Sequence, residues 1–223
     1  MTIKLQAGDG IIFDCDSTLS TIEGIDELAA LKNCRAEIAE LTNQAMDGKI
    51  ALEAVYSKRL EIIRPTKSDL SKIAEIYCER ITAGAEEIVA KLKAQGIKIA
   101  IVSGGLRAAV LPLGKKLGFR EEDIFAVDLV FDGNNNFLKV LASPLTTSAG
   151  KLEVARDWKK RENIKKLVLI GDGASDLAAK GEGAADFVIG YGGVVARKQV
   201  QEKADFFTAE KNLNSVLEFL EFE

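Results

Sequence analysis

Four short, mostly apolar runs, each closing on an acid, a hydroxyl or a glycine, constrain this 223-residue chain more than any other feature. They are Ile11-Ile12-Phe13 before Asp14-Cys15-Asp16-Ser17, Ile97 to Val102 before Ser103-Gly104-Gly105, Leu167 to Ile170 before Gly171-Asp172-Gly173, and Phe187-Val188-Ile189 before Gly190. Runs of this length bounded by turn residues read as buried strands. Helical periodicity over Ala85 to Gln95, over Ala149 to Arg161 and through Leu177 separates them. Strand-then-helix repetition predicts an α/β protein with a doubly wound, Rossmann-like parallel sheet and helices on both faces.

From Glu23 to Arg80 the rhythm changes. Leu28, Leu31, Ile38, Leu41, Leu52, Val55, Leu60, Ile63, Leu70, Ile73 and Ile76 recur at spacings near three and four, with no strand-like run between them. The pattern predicts a helical cap inserted after the first strand. Its breaks fall at Asn33, at Asp47-Gly48 and at Arg64-Pro65-Thr66, with Ser68 as an N-cap. The expected organisation is a core from residues 1–17 and 82–223 and a cap from 18–81. Between Ile124 and Leu141, Asp132-Gly133-Asn134-Asn135-Asn136 divides two apolar segments and reads as a small β-hairpin insertion.

Composition removes whole classes of chemistry. The chain has no His, which excludes Ser-His-Asp and Cys-His catalysis and His-ligated zinc. Three Cys, none in a CxxC pair, form neither a disulfide framework nor a zinc site, so a reducing, cytoplasmic location is expected. The net charge is −4 and neither sign forms a long block, so no nucleic-acid partner is expected. The densest basic cluster, Lys159, Lys160, Arg161, Lys165 and Lys166, is broken by Glu162 and reads as a solvated helix end. There is no apolar leader and no apolar run near 18 residues, which predicts neither export nor a membrane partner. These readings leave a small molecule, and a second copy of the chain in a homodimer, as compatible partners.

In open α/β sheets ligands bind at the carboxyl ends of the strands. Three strands here end in groups suited to phosphate: Asp14-x-Asp16, Ser103-Gly104-Gly105, and Gly171-Asp172-Gly173-x-x-Asp176, with Lys151 between them. Alternation along the strand is expected to put Asp14 and Asp16 on one side and Cys15 on the other. Acids gathered at one sheet edge repel one another unless a cation joins them, and all-oxygen ligation without His favours Mg²⁺. Ser103, the glycine amides and Lys151 can then hold phosphoryl oxygens. Gly8-Asp9-Gly10 precedes a strand instead of following one and is expected to be inert.

Taken together, Asp14-Cys15-Asp16-Ser17-Thr18, Ser103-Gly104-Gly105, Lys151 and Gly171-Asp172-Gly173-Ala174-Ser175-Asp176 resemble the haloacid-dehalogenase-like phosphatases from Ile11 onward. Glu23 to Ala29, Ala45-Met46, Lys58-Arg59-Leu60 and Ile189 to Gly193 are similar to the phosphoserine phosphatase branch of that family. The resemblance implies Mg²⁺-dependent hydrolysis of O-phospho-L-serine, the last step of serine biosynthesis, through an aspartyl-phosphate. It implies Asp14 as nucleophile and Asp16 as general acid and base. Asp14, the Asp16 carbonyl and Asp172 would be metal ligands, and Asp176 would orient Lys151 or the metal shell. Substrate would be held by Glu23, Met46, Arg59, Ser103, Gly104, Gly105, Lys151 and Ser175, with Glu23 and Arg59 reading the amino and carboxylate groups of serine. Asp47 stands where many relatives have Gly. The cap is expected to open about hinges at Thr18 to Ile22 and Ile81 to Gly84. Two other readings compete: an enzyme acting on another small phosphomonoester, and a receiver-like phosphoacceptor module. The receiver type lacks a helical insertion after the first strand and has no use for the second acid, Asp16.

Overall fold

The computed structural model describes residues 2–46 and 49–223. The chain opens with β1 (Ile3–Leu5) and β2 (Gly10–Phe13), then passes through four helices, α1 (Gly24–Leu31), α2 (Arg35–Met46), α3 (Leu52–Ile63) and α4 (Lys67–Glu79). Next come α5 (Ala85–Ala94), β3 (Lys98–Leu106), α6 (Arg107–Lys116), β4 (Ile124–Val127), β5 (Leu129–Phe131) and β6 (Phe137–Val140). The last part holds α7 (Gly150–Arg161), β7 (Leu167–Gly171), α8 (Ala174–Ala178), β8 (Phe187–Tyr191), α9 (Lys198–Lys203), β9 (Phe206–Thr208) and β10 (Leu220–Phe222).

Among the described residues the main sheet has six strands in the order β4-β3-β2-β7-β8-β9, parallel at every pairing. Strands covered on both faces need apolar residues at every position, and Ile11, Ile12 and Phe13 of β2 and Val168, Leu169 and Ile170 of β7 are fully buried. Burying one such side chain stabilises the fold by about 1.5–3 kcal/mol. After β2 the chain builds β3 and β4 on one side, then crosses to β7 on the other. The order therefore reverses at β2, and a cleft opens beyond its carboxyl end, where Asp14 follows Phe13.

Two chain segments carry α1 to α4 out from the core and back. They run antiparallel, with Thr21 N–H donating to Arg80 O at 2.8 Å and Thr82 N–H to Leu19 O at 3.0 Å. These are the stretches expected to hinge.

Several local expectations need correction. Asp14 and Asp16 do not share a strand face, because β2 ends at Phe13 and Cys15–Leu19 form a tight turn, closed by Ser20 N–H donating to Cys15 O at 3.0 Å, with Ser17 at φ 51°. A cap preceded by Pro65 begins at Thr66, not Ser68: Thr66 Oγ1 accepts from Asp69 N–H at 3.2 Å and Asp69 answers to Thr66 N–H at 2.8 Å, a reciprocal box. The hairpin is β5 with β6 alone, since β4 pairs with β3 at the edge of the main sheet. β3 continues through Ser103-Gly104-Gly105 to Leu106 with a register break after Val102. β1 and β10, which pair in parallel across nearly the whole chain length, were not expected.

Candidate active site

The Cys15–Leu19 turn is short enough to present both carboxylates of the Asp14-x-Asp16 pair to one cavity. Asp14 Oδ1 accepts from Cys15 N–H at 2.7 Å and lies 2.8 Å from Lys151 Nζ. Lys151 sits in the first turn of α7, and its ammonium also bonds Asp176 Oδ1 at 2.7 Å. Asp176, in the first turn of α8, uses Oδ2 to accept from Gly173 N–H at 2.9 Å. Asp176 packs so closely on Gly171 that a Cβ there would stand 2.2 Å from its carboxyl carbon. Glycine at the end of β7 is thus a packing requirement. Asp172, on the other side of the turn, accepts from Arg197 Nε at 3.1 Å.

Carboxylate oxygens of Asp14, Asp172 and Asp176 come within 4.8 Å of one another, all three residues buried. Burial pushes the Asp14 carboxyl well up, and the neighbouring acids add to this against the pull of Lys151. Burial likewise carries Asp172 up to about 7, although Arg197 opposes it. For Lys151, burial works against the ammonium but Asp14 and Asp176 more than compensate, so its pKa rises and it stays charged. Five carboxyls, Asp14, Asp16, Glu23, Asp172 and Asp176, thus stand with three cations, Lys151, Arg197 and Arg59, among the described residues in and around the cavity. The shortfall is in positive charge. An all-oxygen donor set with excess negative charge fits a hard divalent cation.

The remaining walls come from the helical segment and the β3 loop. Gly104 and Gly105 line the cavity, while Ser103 is fully buried just behind them, its Oγ accepting from Gly105 N–H at 3.0 Å. Ser175 lines the wall beside Asp172. Glu23, immediately before α1, accepts from Ser17 Oγ at 2.8 Å and lies 3.5 Å from Arg197 Nη2; burial raises its pKa well above the usual value. Arg59, on α3, is buried, with Nη1 donating to Thr42 Oγ1 at 3.0 Å and its Nε without a partner among the described residues. Tyr56 stacks under that guanidinium, 5.5 Å from ring centre to carbon, and its hydroxyl donates to Gly104 O at 2.7 Å. The Met46 side chain and Asp47 lie outside the described residues.

Three contributors went unseen in the sequence. Arg197 follows the Tyr191-Gly192-Gly193 loop, and only that loop hints at it. Tyr56 and Tyr77 read as helix-face residues, since nothing local marks the packing that aims them at the core.

The gathered residues match known proteins. The family model described as haloacid dehalogenase-like hydrolase matches residues 11–179. The chain is 36% identical to the chloroplastic phosphoserine phosphatase of Arabidopsis thaliana, over 93% of this chain and 72% of the relative. It is 33% identical to the phosphoserine phosphatase of Bos taurus, over 92% of this chain and 90% of the relative. A solved structure described as a phospho-aspartyl intermediate analogue of phosphoserine phosphatase superposes with a TM-score of 0.84 at 29% identity, covering 97% of this chain and all of the other. The chain belongs to the haloacid dehalogenase-like hydrolases, a phosphatase on the branch of that family that holds the phosphoserine phosphatases.

Proposed function

We propose that the chain hydrolyses O-phospho-L-serine to L-serine and phosphate through a phosphoryl group carried on Asp14. The observation that carries the reading is Arg59: its buried guanidinium lines the same cavity as Asp14 and Lys151, and its Nε has no partner among the described residues. Leaving such a donor unpaired costs about 1–3 kcal/mol, and a substrate carboxylate would supply the missing acceptor. Glu23 in the same wall suits the substrate ammonium.

Cys15 N–H and Lys151 both engage Asp14 Oδ1, so Oδ2 is the oxygen offered to phosphorus. As the bond from Oδ2 to phosphorus forms, the bond to the serine oxygen breaks, and Asp16 delivers a proton to that oxygen because an alkoxide leaves poorly. Asp16 then takes a proton from the water that attacks the phosphoaspartate, restoring Asp14 and releasing phosphate. Burial raises the Asp16 pKa, in keeping with a carboxyl that begins protonated. Lys151, Ser175 and the Gly104 amide would hold phosphoryl oxygens, while the Gly105 amide, expected to do the same, already donates to the Ser103 hydroxyl and braces the loop instead. The donor set fits Mg²⁺, which Asp14, Asp172 and the Asp16 carbonyl would hold, with Asp176 fixing Lys151. When bound, the ion supplies positive charge to the phosphoryl oxygens.

Residues 18–81 act, in this reading, as a cap over the core formed by 1–17 and 82–223. Three hydrogen bonds across that boundary support it: Tyr56 to Gly104 O, and Glu53 Oε2 accepting from Ser148 N–H and Oγ at 2.9 Å each. The cytoplasm is the proposed compartment, supported by three free cysteines, and among the described residues no helix is long and apolar enough to cross a membrane.

Phosphate release in Mg²⁺ from phosphoserine, phosphothreonine, sugar phosphates and p-nitrophenyl phosphate tests the substrate. Phosphoserine should lead. Arg59→Ala should lower kcat/KM for phosphoserine by about 100-fold, the scale of a charge-assisted contact, and p-nitrophenyl phosphate hydrolysis far less. Equal losses on both substrates, or a sugar phosphate in the lead, would contradict the assignment.

A further inference from the structure

We propose that Tyr77, in the last turn of α4, is a positioning residue that sets which oxygen of Asp16 transfers the proton. The proposal rests on reading Asp16 as the acid of the reaction. Tyr77 is 1% exposed, and its hydroxyl donates to Asp16 Oδ1 at 2.5 Å. Gly24 N–H donates to the same oxygen at 2.7 Å. With two donors aimed at Oδ1, the proton of the acid form has its place on the other oxygen. That other oxygen, Oδ2, lies beside Gly105, where a Cβ would stand 3.1 Å from it, so the transferable proton faces the loop that lines the phosphate end. Without the phenol, Gly24 N–H alone would restrain Oδ1, and the carboxyl could turn its proton away from the leaving oxygen.

The phenol has little freedom of its own. A Cβ on Gly24 would fall 2.0 Å from Tyr77 Oη, so glycine at the start of α1 admits the ring and contributes the second donor at once. Tyr77 reaches Asp16 from 61 residues away, and α4 belongs to the segment inserted between β2 and β3. Asp16 is therefore held in its productive rotamer only while that segment is seated on the core. A buried tyrosine needs some partner for its hydroxyl, and a purely structural bond is the alternative that the test must separate.

The test uses leaving groups. p-Nitrophenolate departs without a proton, so phosphorylation of Asp14 by p-nitrophenyl phosphate, read as the p-nitrophenol burst, needs no acid. Phosphoserine needs one. Tyr77→Phe keeps the ring and removes only the hydroxyl. It should lower kcat for phosphoserine by about 10- to 100-fold, leave KM within about twofold and leave the burst rate unchanged. A loss confined to KM, a burst slowed as much as phosphoserine turnover, or a kcat within about twofold of wild type would overturn the proposal. Gly24→Ala, which pushes the phenol away, should give the same split if Tyr77→Phe does not fold, and normal phosphoserine turnover in it would equally overturn the role. Asp16→Asn run beside them separates the two levels. Full phosphoserine turnover in Asp16→Asn overturns the acid assignment and the proposal with it. Loss in Asp16→Asn with a normal Tyr77→Phe overturns the positioning role alone.

Discussion

Asp9 and Asp14 flank the same strand and are both buried, yet their surroundings give them opposite work. Asp9 spends its oxygens on backbone, accepting from Lys166 N–H and Gln6 N–H at 3.0 Å each. It ties two loops beneath the sheet. Asp14, at the other end, faces Lys151 and two further acids. Asp14→Asn should therefore reduce kcat by about a thousandfold or more, since no other nucleophile stands in its place. Asp9→Asn should leave kcat within about twofold but destabilise the fold by about 1–3 kcal/mol, because an amide nitrogen would face a backbone donor. Steady-state kinetics and urea unfolding on both variants check the pair. Substantial activity in Asp14→Asn would remove the nucleophile assignment.

At the scale of elements, α4 shows how a helix of the segment inserted between β2 and β3 is held and where sequence reading stops. Burial favours the neutral form of Asp69, but Lys32, 2.7 Å away, and the Thr66 bonds outweigh it and hold the pKa below the usual carboxylate value. A folded-state pKa below the unfolded one means that the contribution is full above the unfolded value of about 3.9 and disappears as pH falls through the folded value. Asp69→Asn should cost about 1 kcal/mol at neutral pH, and the gap from wild type should close in acid; denaturant melts at neutral and acid pH give the comparison. The strands were legible because residues buried on both faces leave an unbroken apolar run, as in Leu167 to Ile170. The acids, Lys151 and the glycines were legible because they directly follow strands or open helices. Pairing between β1 and β10 was not, since Ile3-Lys4-Leu5 carries no mark of a partner at Leu220. Tyr77 was hidden for a related reason: helical spacing places it on a buried face but says nothing of the carboxyl it meets. The N-cap of α4 falls at Thr66 and not at the expected Ser68 because the reciprocal bonds between Thr66 and Asp69 close its first turn.

For the whole molecule, the acid-rich end of the cavity couples function to stability. Carboxyls that repel one another in the folded state spread apart on unfolding, so a cation that binds only the folded form raises stability, by about 2.7 kcal/mol at a hundredfold excess over Kd. Mg²⁺ should raise the melting temperature saturably, Asp172→Asn should abolish that shift, and chelation should stop phosphoserine hydrolysis until Mg²⁺ returns. Unchanged activity after exhaustive chelation would exclude the metal from the reaction. The proposed reaction turns on one event, the transfer of a phosphoryl group to Asp14 from a substrate that Arg59 and Glu23 would hold. The direct measurement is rapid acid quench of the enzyme during phosphoserine turnover, followed by peptide mass mapping. The account predicts one added phosphoryl group on the peptide containing Asp14, appearing before steady state, lost once the phosphoserine is exhausted, and absent in Asp14→Asn. Turnover with the phosphoryl group never on that peptide, or found on a serine or threonine instead, would contradict it.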